Sequence, residues 1–225
     1  MNSFRAKVLF PMGVIFLTVI QSSPALGAGF GSNQEAIEWT SANGGNGHWY
    51  ALIEGPCSSW SENYQSEMIS IATGVGAQLV SFNTSDEWEF IKSTFSDIGD
   101  PSCADDYYIG LISDPGDPSW RWISGEPFDF EAWGTSACAA GPYPNNGSSG
   151  THAYVLNRQD CGQVWDDGVN GDPHSGDFMI EWSADCNNDG IVDFGQIRSG
   201  ILADIDSNGV PDCCEGGLCA PDCDG

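Results

Sequence analysis

The order of apolar patterns along the chain limits the folds that it can adopt. Two segments with the spacing of amphipathic helices lie before Phe95, and short apolar runs separated by Gly, Pro, Asn and Asp follow it. Helices grouped ahead of strands are typical of α+β domains and not of alternating βαβ folds. We therefore predict an α+β domain with two helices, short antiparallel sheets and a long loop.

Both predicted helices have recognisable ends. Ser58 and Ser59 are candidate N-caps of the first helix, and Gly74 is its stop. The second helix begins at Thr84, which forms a capping-box pattern with Glu87. The apolar positions are Trp60, Tyr64, Met68 and Ile71 in the first helix and Trp88, Ile91 and Phe95 in the second.

Five short apolar runs bounded by turn residues predict strands. The runs are Gln78 to Phe82, Tyr107 to Leu111, Trp120 to Ile123, His152 to Leu156 and Phe178 to Trp182. The stretch from Pro127 to Thr151 has no clear periodicity and contains GPYPNNGSSG. Loops of this length inside a compact domain are usually functional or disordered, so we expect this long loop to contact the ligand.

The N-terminus has the features of an export signal. Arg5 and Lys7 precede an apolar core from Val8 to Ile20, and small residues follow from Ala25 to Ala28. This core is shorter than the roughly 20 residues that cross a bilayer, and we predict no membrane span. Residues 1–28 are therefore predicted to be removed, which leaves a protein that is secreted, extracellular or at the cell surface.

The chain is strongly acidic, with a formal net charge of −26. The predicted signal holds two basic and no acidic residues, so its removal changes the charge to −28. Such a charge repels nucleic acid and anionic membranes and attracts cations. Nucleic acid is therefore disfavoured as a partner and a divalent metal is favoured. A charge that serves only solubility is the alternative interpretation.

Several short strings of residues, taken in their order along the chain, form one pattern. The strings are NGHWY (46–50), WSENY (60–64), GAQLVSF (76–82), SDEWEFI (85–91), YYIGL (107–111), WRWISGEPFDFEAW (120–133), PNN (144–146), VWDD (164–167) and FMIEW (178–182). Together they resemble the C-type lectin-like family over residues 38–183. YYIGL stands where the family has Trp-Ile-Gly-Leu, and VWDD where it has Trp-Asn-Asp. The resemblance implies a C-type lectin-like domain at residues 29–183 that is not an enzyme.

The resemblance also implies a site for calcium and sugar. The family's loop triplet falls on Tyr143, Pro144 and Asn145, its next acid on Thr151, and its Asn-Asp pair on Asp166 and Asp167. Two acidic ligands are thus absent, and the family counterpart of Pro144 follows a cis peptide bond. Asn145, Asp166 and Asp167 are the predicted ligand-binding and calcium-binding residues. The alternative is that Asp166 and Asp167 cap a turn.

Nine cysteines, none of them in the predicted signal, indicate disulfides in an exported chain, and the odd number leaves one free or paired with another chain. Met68, Ile180 and Ala153 stand where the family has disulfide cysteines, and we expect Met68 and Ile180 to pack there instead. Four cysteines are then additional, and they permit three pairings. The pairing that we favour is Cys103 with Cys138 and Cys57 with Cys161.

Composition shifts at about Asp185 towards Asp, Asn, Gly and Cys. Two strings offset by 19 residues follow the pattern of EF-hand-type loops, with Gly190 and Gly209 at the sixth position. Carbonyls of Ile191 and Val210 hold the seventh position. The predicted calcium ligands are Asp185, Asn187, Asp189 and Asp193 in the first loop and Asp204, Asp206, Asn208, Asp212 and Glu215 in the second.

This segment, residues 184–215, resembles the calcium loops of dockerin modules and thrombospondin type-3 repeats, and a Cys-rich tail at 216–225 follows. Gln196 replaces the acid at the twelfth position of the first loop, which predicts weaker binding there. One short helix is expected from Phe194, Ile197 and Ile201, and none after the second loop. A flexible acidic tail is the alternative, and a zinc site is disfavoured because the cysteine spacing fits no common pattern. These cysteines are Cys213, Cys214, Cys219 and Cys223.

Three functions remain open. The first is calcium-assisted binding of a carbohydrate. The second is binding of an extracellular protein, with calcium in a structural role only, and the third is docking through the C-terminal calcium loops. Catalysis is disfavoured because Asp166 and Asp167 have no opposing carboxyl partner in the sequence, and because His48, His152 and His174 are too scattered for a metal motif.

Overall fold

The computed structural model describes residues 35–56, 58–96, 106–117, 119–136, 138, 141–158, 161–171, 173–174 and 176–216. The strands are β1 (Ile37–Glu38), β2 (Trp49–Ile53), β3 (Ser58–Ser59), β4 (Gln78–Leu79), β5 (Asp106–Ile112), β6 (Arg121–Trp122), β7 (His152–Arg158), β8 (Gly162–Gly168), β9 (Pro173–His174) and β10 (Phe178–Trp182). The helices are α1 (Glu62–Thr73), α2 (Ser85–Thr94), α3 (Asp193–Ser199) and α4 (Asp212–Glu215).

Helix α1 confirms the first predicted helix but begins later than expected. Ser61 is its N-cap, and the Ser61 side chain accepts a hydrogen bond from the backbone N–H of Tyr64 at 3.1 Å. The predicted caps at 58–59 were wrong, because these residues form β3 and pair with β9. Met68 and Ala72 are buried along the inner face, and Gly74 ends the helix as predicted.

Helix α2 confirms the predicted cap at Thr84. The Thr84 hydroxyl accepts a hydrogen bond from the Glu87 backbone N–H at 3.2 Å. In return, Glu87 Oε2 accepts from the backbone N–H of Asn83 at 2.8 Å, one residue before the N-cap. Trp88 and Ile91 are buried on the inner face, so the predicted apolar stripe faces the core.

The main sheet has the strand order β1-β2-β10-β5-β7-β8, with β4 on β10 and β6 on β5. All of its pairs are antiparallel except β10 with β5. The five predicted strands are present, although several are shorter or longer than expected. Strand β8 was not predicted, because its two adjacent aspartates interrupt the apolar alternation.

Two buried clusters fill the interior, and α1 packs in one and α2 in the other. Met68 and Ile180 lie together in the cluster that contains α1, at 0% and 1% exposure. The expected apolar packing of these two side chains is therefore confirmed. Trp165 is fully buried in the other cluster, among the rings of Phe82, Trp88 and Trp122.

The C-terminal segment packs against this α+β core. Phe194 of α3, the short helix predicted after the first loop, stacks on Trp182 with ring centroids 4.0 Å apart. The Trp182 indole N–H donates to the carbonyl of Val75 at 2.8 Å. Gly76 and Gly209 both have positive φ and meet so closely that a Cβ on Gly76 would lie 2.3 Å from the Gly209 carbonyl oxygen. Glycine is therefore required at this contact.

The structure pairs Cys138 with Cys161 and Cys186 with Cys214. The favoured pairing of Cys138 and Cys161 with other cysteines was therefore wrong. Cys138 lies in the long loop and Cys161 at the turn between β7 and β8, with Cα atoms 5.4 Å apart. Cys57 and Cys103 lie outside the described residues. The disulfide joins the long loop to the β7–β8 hairpin, a proximity that sequence spacing does not reveal.

No helix in the described part of the chain has the length and apolar character to cross a membrane. The predicted signal at 1–28 lies outside the described residues.

Candidate functional site

The long loop begins as an extension of the sheet beside β8. Trp133 forms a bridge with Trp165, whose backbone N–H donates to the carbonyl of Ala132 at 3.0 Å. The Trp165 carbonyl in turn accepts from the backbone N–H of Gly134 at 3.0 Å. Trp122 is buried, and Trp133 packs on Trp165. The long loop therefore starts from the hydrogen-bonded edge of the main sheet.

Asp167 anchors the far end of this loop. Its Oδ1 accepts from the Asn145 backbone N–H at 2.6 Å, and its Oδ2 accepts from the Asn146 backbone N–H at 2.9 Å. The Asn146 side-chain amide also donates to the Asp167 carbonyl at 2.5 Å. Asp167 is 1% exposed, and a Cβ on Gly150 would lie 2.5 Å from its Oδ2. The carboxylate is thus enclosed by the loop that it holds.

Asp166 faces the other side of β8, because neighbouring residues on a strand alternate between faces. Its Oδ2 accepts from the hydroxyl of Tyr154, its cross-strand partner on β7, at 3.0 Å. Its Oδ1 accepts from the Asp167 backbone N–H at 2.8 Å. The structure therefore brings Asn145 and Asp167 together and places Asp166 elsewhere. The assignment of calcium to Asn145, Asp166 and Asp167 stays a prediction.

The two positions where the family has acids have other contacts in this chain. Tyr143 is buried and packs so closely on Gly134 that a Cβ there would lie 2.4 Å from the Tyr143 ring. Thr151 lies beside His152, with its hydroxyl 3.2 Å from the ring Nδ1. The peptide bonds before Pro142 and Pro144 are both cis. Asn145 is exposed at the tip of the long loop.

The second C-terminal loop gathers acidic oxygens. Ligand atoms of Asp204, Asp206 and Asp212 lie within 4.8 Å of one another. Asp204 accepts from the backbone N–H groups of Asn208 and Gly209 at 3.1 and 3.0 Å, which curls the chain around the carboxylates. This donor set fits calcium, which takes six to eight oxygen ligands.

The first loop repeats this geometry. Asp185 accepts from the backbone N–H groups of Asp189 and Gly190 at 3.1 and 2.9 Å. Asp193 Oδ1 and Gln196 Oε1 are buried without a hydrogen-bond partner. Burial raises the pKa of Asp193, and the hydrogen bond from the Cys186 backbone N–H lowers it. Two unpartnered buried oxygens beside Asp189 fit a cation that would coordinate them.

The repeat extends to the backbone. Asn188 and Ser207, at equivalent positions, have φ values of 58° and 59°. The disulfide between Cys186 and Cys214 links the two loops directly. The expected helix after the first loop is present as α3, and one short helical turn, α4, forms the end of the second loop, where no helix was expected. The assignment of calcium to these residues stays a prediction, as does the resemblance to dockerin and thrombospondin repeats.

Two contributors were missed from the sequence. Asn146 holds Asp167 from both its backbone and its side chain, and only the NN doublet in the loop pointed towards it. Gln196 was treated as a lost ligand, yet its amide donates to Asp189 at 2.5 Å and its carbonyl oxygen is buried. A glutamine side chain still offers one carbonyl oxygen to a cation, and this property of Gln196 could have been recognised from the sequence.

One family model matches part of the chain, and several solved structures are similar to it. The family model described as the lectin C-type domain matches residues 72–172. No curated protein matches the chain. Similar solved structures include human lithostathine, which is 21% identical with a TM-score of 0.46 and covers 61% of this chain and 85% of its own.

Two further structures are similar. The Ca2+-independent C-type lectin SPL-2 from Saxidomus purpuratus is 27% identical, with a TM-score of 0.45, and the match covers 60% of this chain and 86% of SPL-2. C-type lectin CEL-I from Cucumaria echinata is 19% identical, with a TM-score of 0.46 and coverage of 61% and 91%. The family match and the strand and helix order agree with the predicted C-type lectin-like fold, and residues 72–172 match the model of the C-type lectin domain.

Proposed function

We propose that this protein is a secreted, non-catalytic lectin that binds carbohydrate with the tip of its long loop, assisted by calcium. The observation that carries this proposal is the anchoring of the loop by Asp167 within a C-type lectin domain. Anchoring fixes the backbone of Asn145, whose side chain is exposed at the loop tip. An amide donates and accepts at once, which suits the hydroxyl groups of a sugar.

Calcium has two candidate locations in this proposal. At the long loop, Asn145 and Asp167 would hold it, and it would supply coordination positions for sugar hydroxyls. Asp166 is the third predicted ligand, but it lies on the other face of β8 and binds Tyr154. The C-terminal loops offer the denser oxygen sets, with Asp204, Asp206 and Asp212 as one group. We therefore expect the tighter calcium binding in the C-terminal segment.

The test is retention of the labelled full-length chain on a glycan array, with calcium and with EDTA. Asn145→Ala should reduce retention by at least about tenfold, because a bound sugar would lose a hydrogen bond worth about 1.4 kcal/mol. Asn43→Ala, at another exposed position, is the matched control and should leave retention unchanged. Equal retention of both variants would contradict a binding site at the loop tip.

The position of the assisting calcium is tested on the same array. Asp204→Ala/Asp206→Ala removes two oxygens of the second C-terminal loop and leaves the long loop intact. If EDTA still abolishes retention of this variant, calcium assists at the long loop. If the variant itself binds as poorly as the wild type in EDTA, the assisting calcium lies in the C-terminal segment.

A second candidate is a module that binds an extracellular protein and uses calcium only as a structural element. It is supported by the enclosure of Asp167, whose two carboxylate oxygens both hold loop amides. In this case no glycan should retain the chain, while calcium should still raise its unfolding temperature. The Asp204→Ala/Asp206→Ala variant should lose most of that increase.

Docking through the C-terminal loops is a third candidate. Three large apolar side chains are exposed on this segment: Ile191 at 55%, Ile201 at 66% and Ile205 at 86%. Replacing Ile201 and Ile205 with serine would abolish such docking and spare the long loop. These point variants are preferable to a deletion, because Phe194 packs against Trp182.

A further inference from the structure

A cavity lies where the C-terminal segment meets the edge of the main sheet. Beside it, Glu38 of β1, Trp49 of β2 and Trp182 of β10 are cross-strand partners and form one row across the sheet. Helix α3 packs along this row. Its Phe194 stacks on Trp182, and a Cβ on Gly195 would lie 3.1 Å from Trp49 Nε1. The helix thus spans the sheet from β10 towards the outermost strand, β1.

Two parts of the chain form the walls of this cavity. One wall is the edge of the sheet with the turn between β1 and β2, and the other is the end of the first C-terminal loop together with α3. The walls include Glu38 and Trp49 on the lectin side and Ile191, Arg198 and Ile201 on the C-terminal side. The volume is about 570 Å³, within the range of about 300–1,000 Å³ that is usual for ligand sites.

Exposed apolar side chains are concentrated at this cavity. Ile191 and Ile201 are 55% and 66% exposed, and both line it. They are two of the three large apolar side chains that are exposed in the described part of the chain, and the third, Ile205, does not line the cavity. Apolar side chains exposed together, with polar residues around them, are typical of a surface that binds a partner.

The charge around the cavity favours a cationic partner. The whole chain has a formal net charge of −26. Arg198, a basic residue of the cavity wall, lies 5.5 Å over the Trp49 ring and pairs with Glu35 at 2.5 Å. The positive charge of Arg198 is therefore offset within the chain, while Glu38 adds a carboxylate to the opposite wall. A basic segment would be attracted to this surface and an acidic one repelled.

Strand β1 also offers backbone hydrogen bonds beside the cavity. The Trp39 backbone N–H donates to the His48 carbonyl, and the Trp39 carbonyl accepts from the Gly47 N–H, both at 2.9 Å. Adjacent residues of an antiparallel strand direct these groups to opposite sides, so those of Glu38 point to the outer edge. No described strand pairs with β1 on that side. An extended segment can add to such an edge as a further strand.

We propose that this cavity binds an extended peptide segment of a partner protein that carries aliphatic side chains next to basic ones. An aliphatic side chain packs against Ile191 and Ile201, a basic neighbour faces Glu38, and the main chain pairs with β1. A saccharide fits less well, because Arg198 lies over the Trp49 ring and isoleucine offers no hydrogen bond to a hydroxyl group.

This proposal rests on the third candidate function, docking through the C-terminal segment, and narrows it to one place. It is separate from the proposed glycan site at the long loop. Of the isoleucines considered for docking, Ile201 lines the cavity and Ile205 does not. Serine variants of these two residues therefore distinguish this cavity from the rest of the segment.

The test uses the full chain with calcium at a salt concentration of about 0.15 M. The probe is a fluorescent hexapeptide of alternating lysine and valine, and its binding is followed by fluorescence anisotropy. Two further hexapeptides carry glutamate in place of lysine, or serine in place of valine. We expect the lysine–valine probe to bind at least about tenfold more tightly than either, because it alone matches both the charge and the apolar side chains of the cavity.

Ile201→Ser should weaken binding of this probe by about tenfold, because an apolar contact is lost. Ile205→Ser is the matched control and should bind as the wild type does. Glu38→Gln should weaken binding severalfold and reduce its dependence on salt. Asp129→Asn, at an exposed position of the long loop, removes the same charge elsewhere and should change neither.

Unchanged binding in Ile201→Ser would overturn the proposal, as would absence of binding to the wild type. Equal losses in Ile201→Ser and Ile205→Ser would overturn the cavity as the site while leaving docking through the C-terminal segment in place. Loss of glycan retention in Ile201→Ser would assign the cavity to a saccharide and also overturn the proposal. If Ile201→Ser does not fold, Ile191→Ser, on the same wall, replaces it with the same expected loss.

Discussion

At the scale of single residues, the environment determines what a side chain does. Asp166 and Asp167 are chemically identical neighbours, yet one binds a tyrosine hydroxyl and the other holds two loop amides. Both were predicted as calcium ligands because they stand where the family that the sequence resembles has its Asn-Asp pair. The sequence did not indicate that the Asp167 carboxylate is enclosed, since its partners lie about 20 residues away in the long loop.

Asp167→Ala should therefore destabilise the protein. The Asn145 and Asn146 backbone N–H groups would lose a charged acceptor, and we expect the free energy of unfolding to fall by about 3 kcal/mol. Urea denaturation followed by tryptophan fluorescence measures the change. Asp129→Ala, at an exposed position in the same loop, should shift stability by less than about 0.5 kcal/mol. A loss below about 1 kcal/mol for Asp167→Ala would show that the loop does not depend on this anchor.

At the scale of elements, helices were predicted better than strands. The apolar stripe of α2 and its cap follow from local spacing, so Thr84, Trp88 and Ile91 were identified correctly. The start of α1 was placed too early, because β3 pairs with a strand more than 100 residues later. Strand β8 was overlooked because its two adjacent aspartates interrupt the apolar alternation. In the folded chain, partners from β7 and the long loop bury these aspartates. Strands depend on distant pairing, which local sequence does not encode.

Thr84→Ala should remove the N-cap of α2. Loss of the hydrogen bond to the Glu87 backbone N–H should lower the free energy of unfolding by about 1 kcal/mol. Thr84→Ser keeps the hydroxyl and is the matched control, with little expected change. Chemical denaturation of the two variants checks the difference. Equal losses in both would mean that the threonine methyl group, and not the cap, supports the helix.

At the scale of the whole molecule, the C-terminal segment is packed against the lectin fold and not suspended from it. Phe194 stacks on Trp182, and the Arg198 side chain lies 5.5 Å over the Trp49 ring. Arg198 also pairs with Glu35 at 2.5 Å. Metal binding in the C-terminal loops should therefore also stabilise the sheet. The contacts that link the two are those of Trp49 on β2 and Trp182 on β10.

Calcium should consequently stabilise the whole protein. At a hundredfold excess over the dissociation constant, one bound ion contributes about 2.7 kcal/mol if the segment and the core unfold together. Phe194→Ala should remove most of this gain from the core, as read by tryptophan fluorescence during thermal unfolding. Ile205→Ala, at a residue 86% exposed, is the control and should retain it. An undiminished gain in Phe194→Ala would show that this contact does not couple the two parts.

Local spacing in the sequence was enough to predict the α+β order, the two amphipathic helices and the repeat of acidic positions after Asp185. Tertiary structure alone decided which groups meet. It joined Cys138 to Cys161 and gave the side chains of Asp166 and Asp167 different partners. It also brought His48, Glu87 and Glu181 together from three distant segments. The physical reason is that periodicity and capping act within a few residues, whereas coordination, disulfide formation and burial depend on distances that only the folded chain sets.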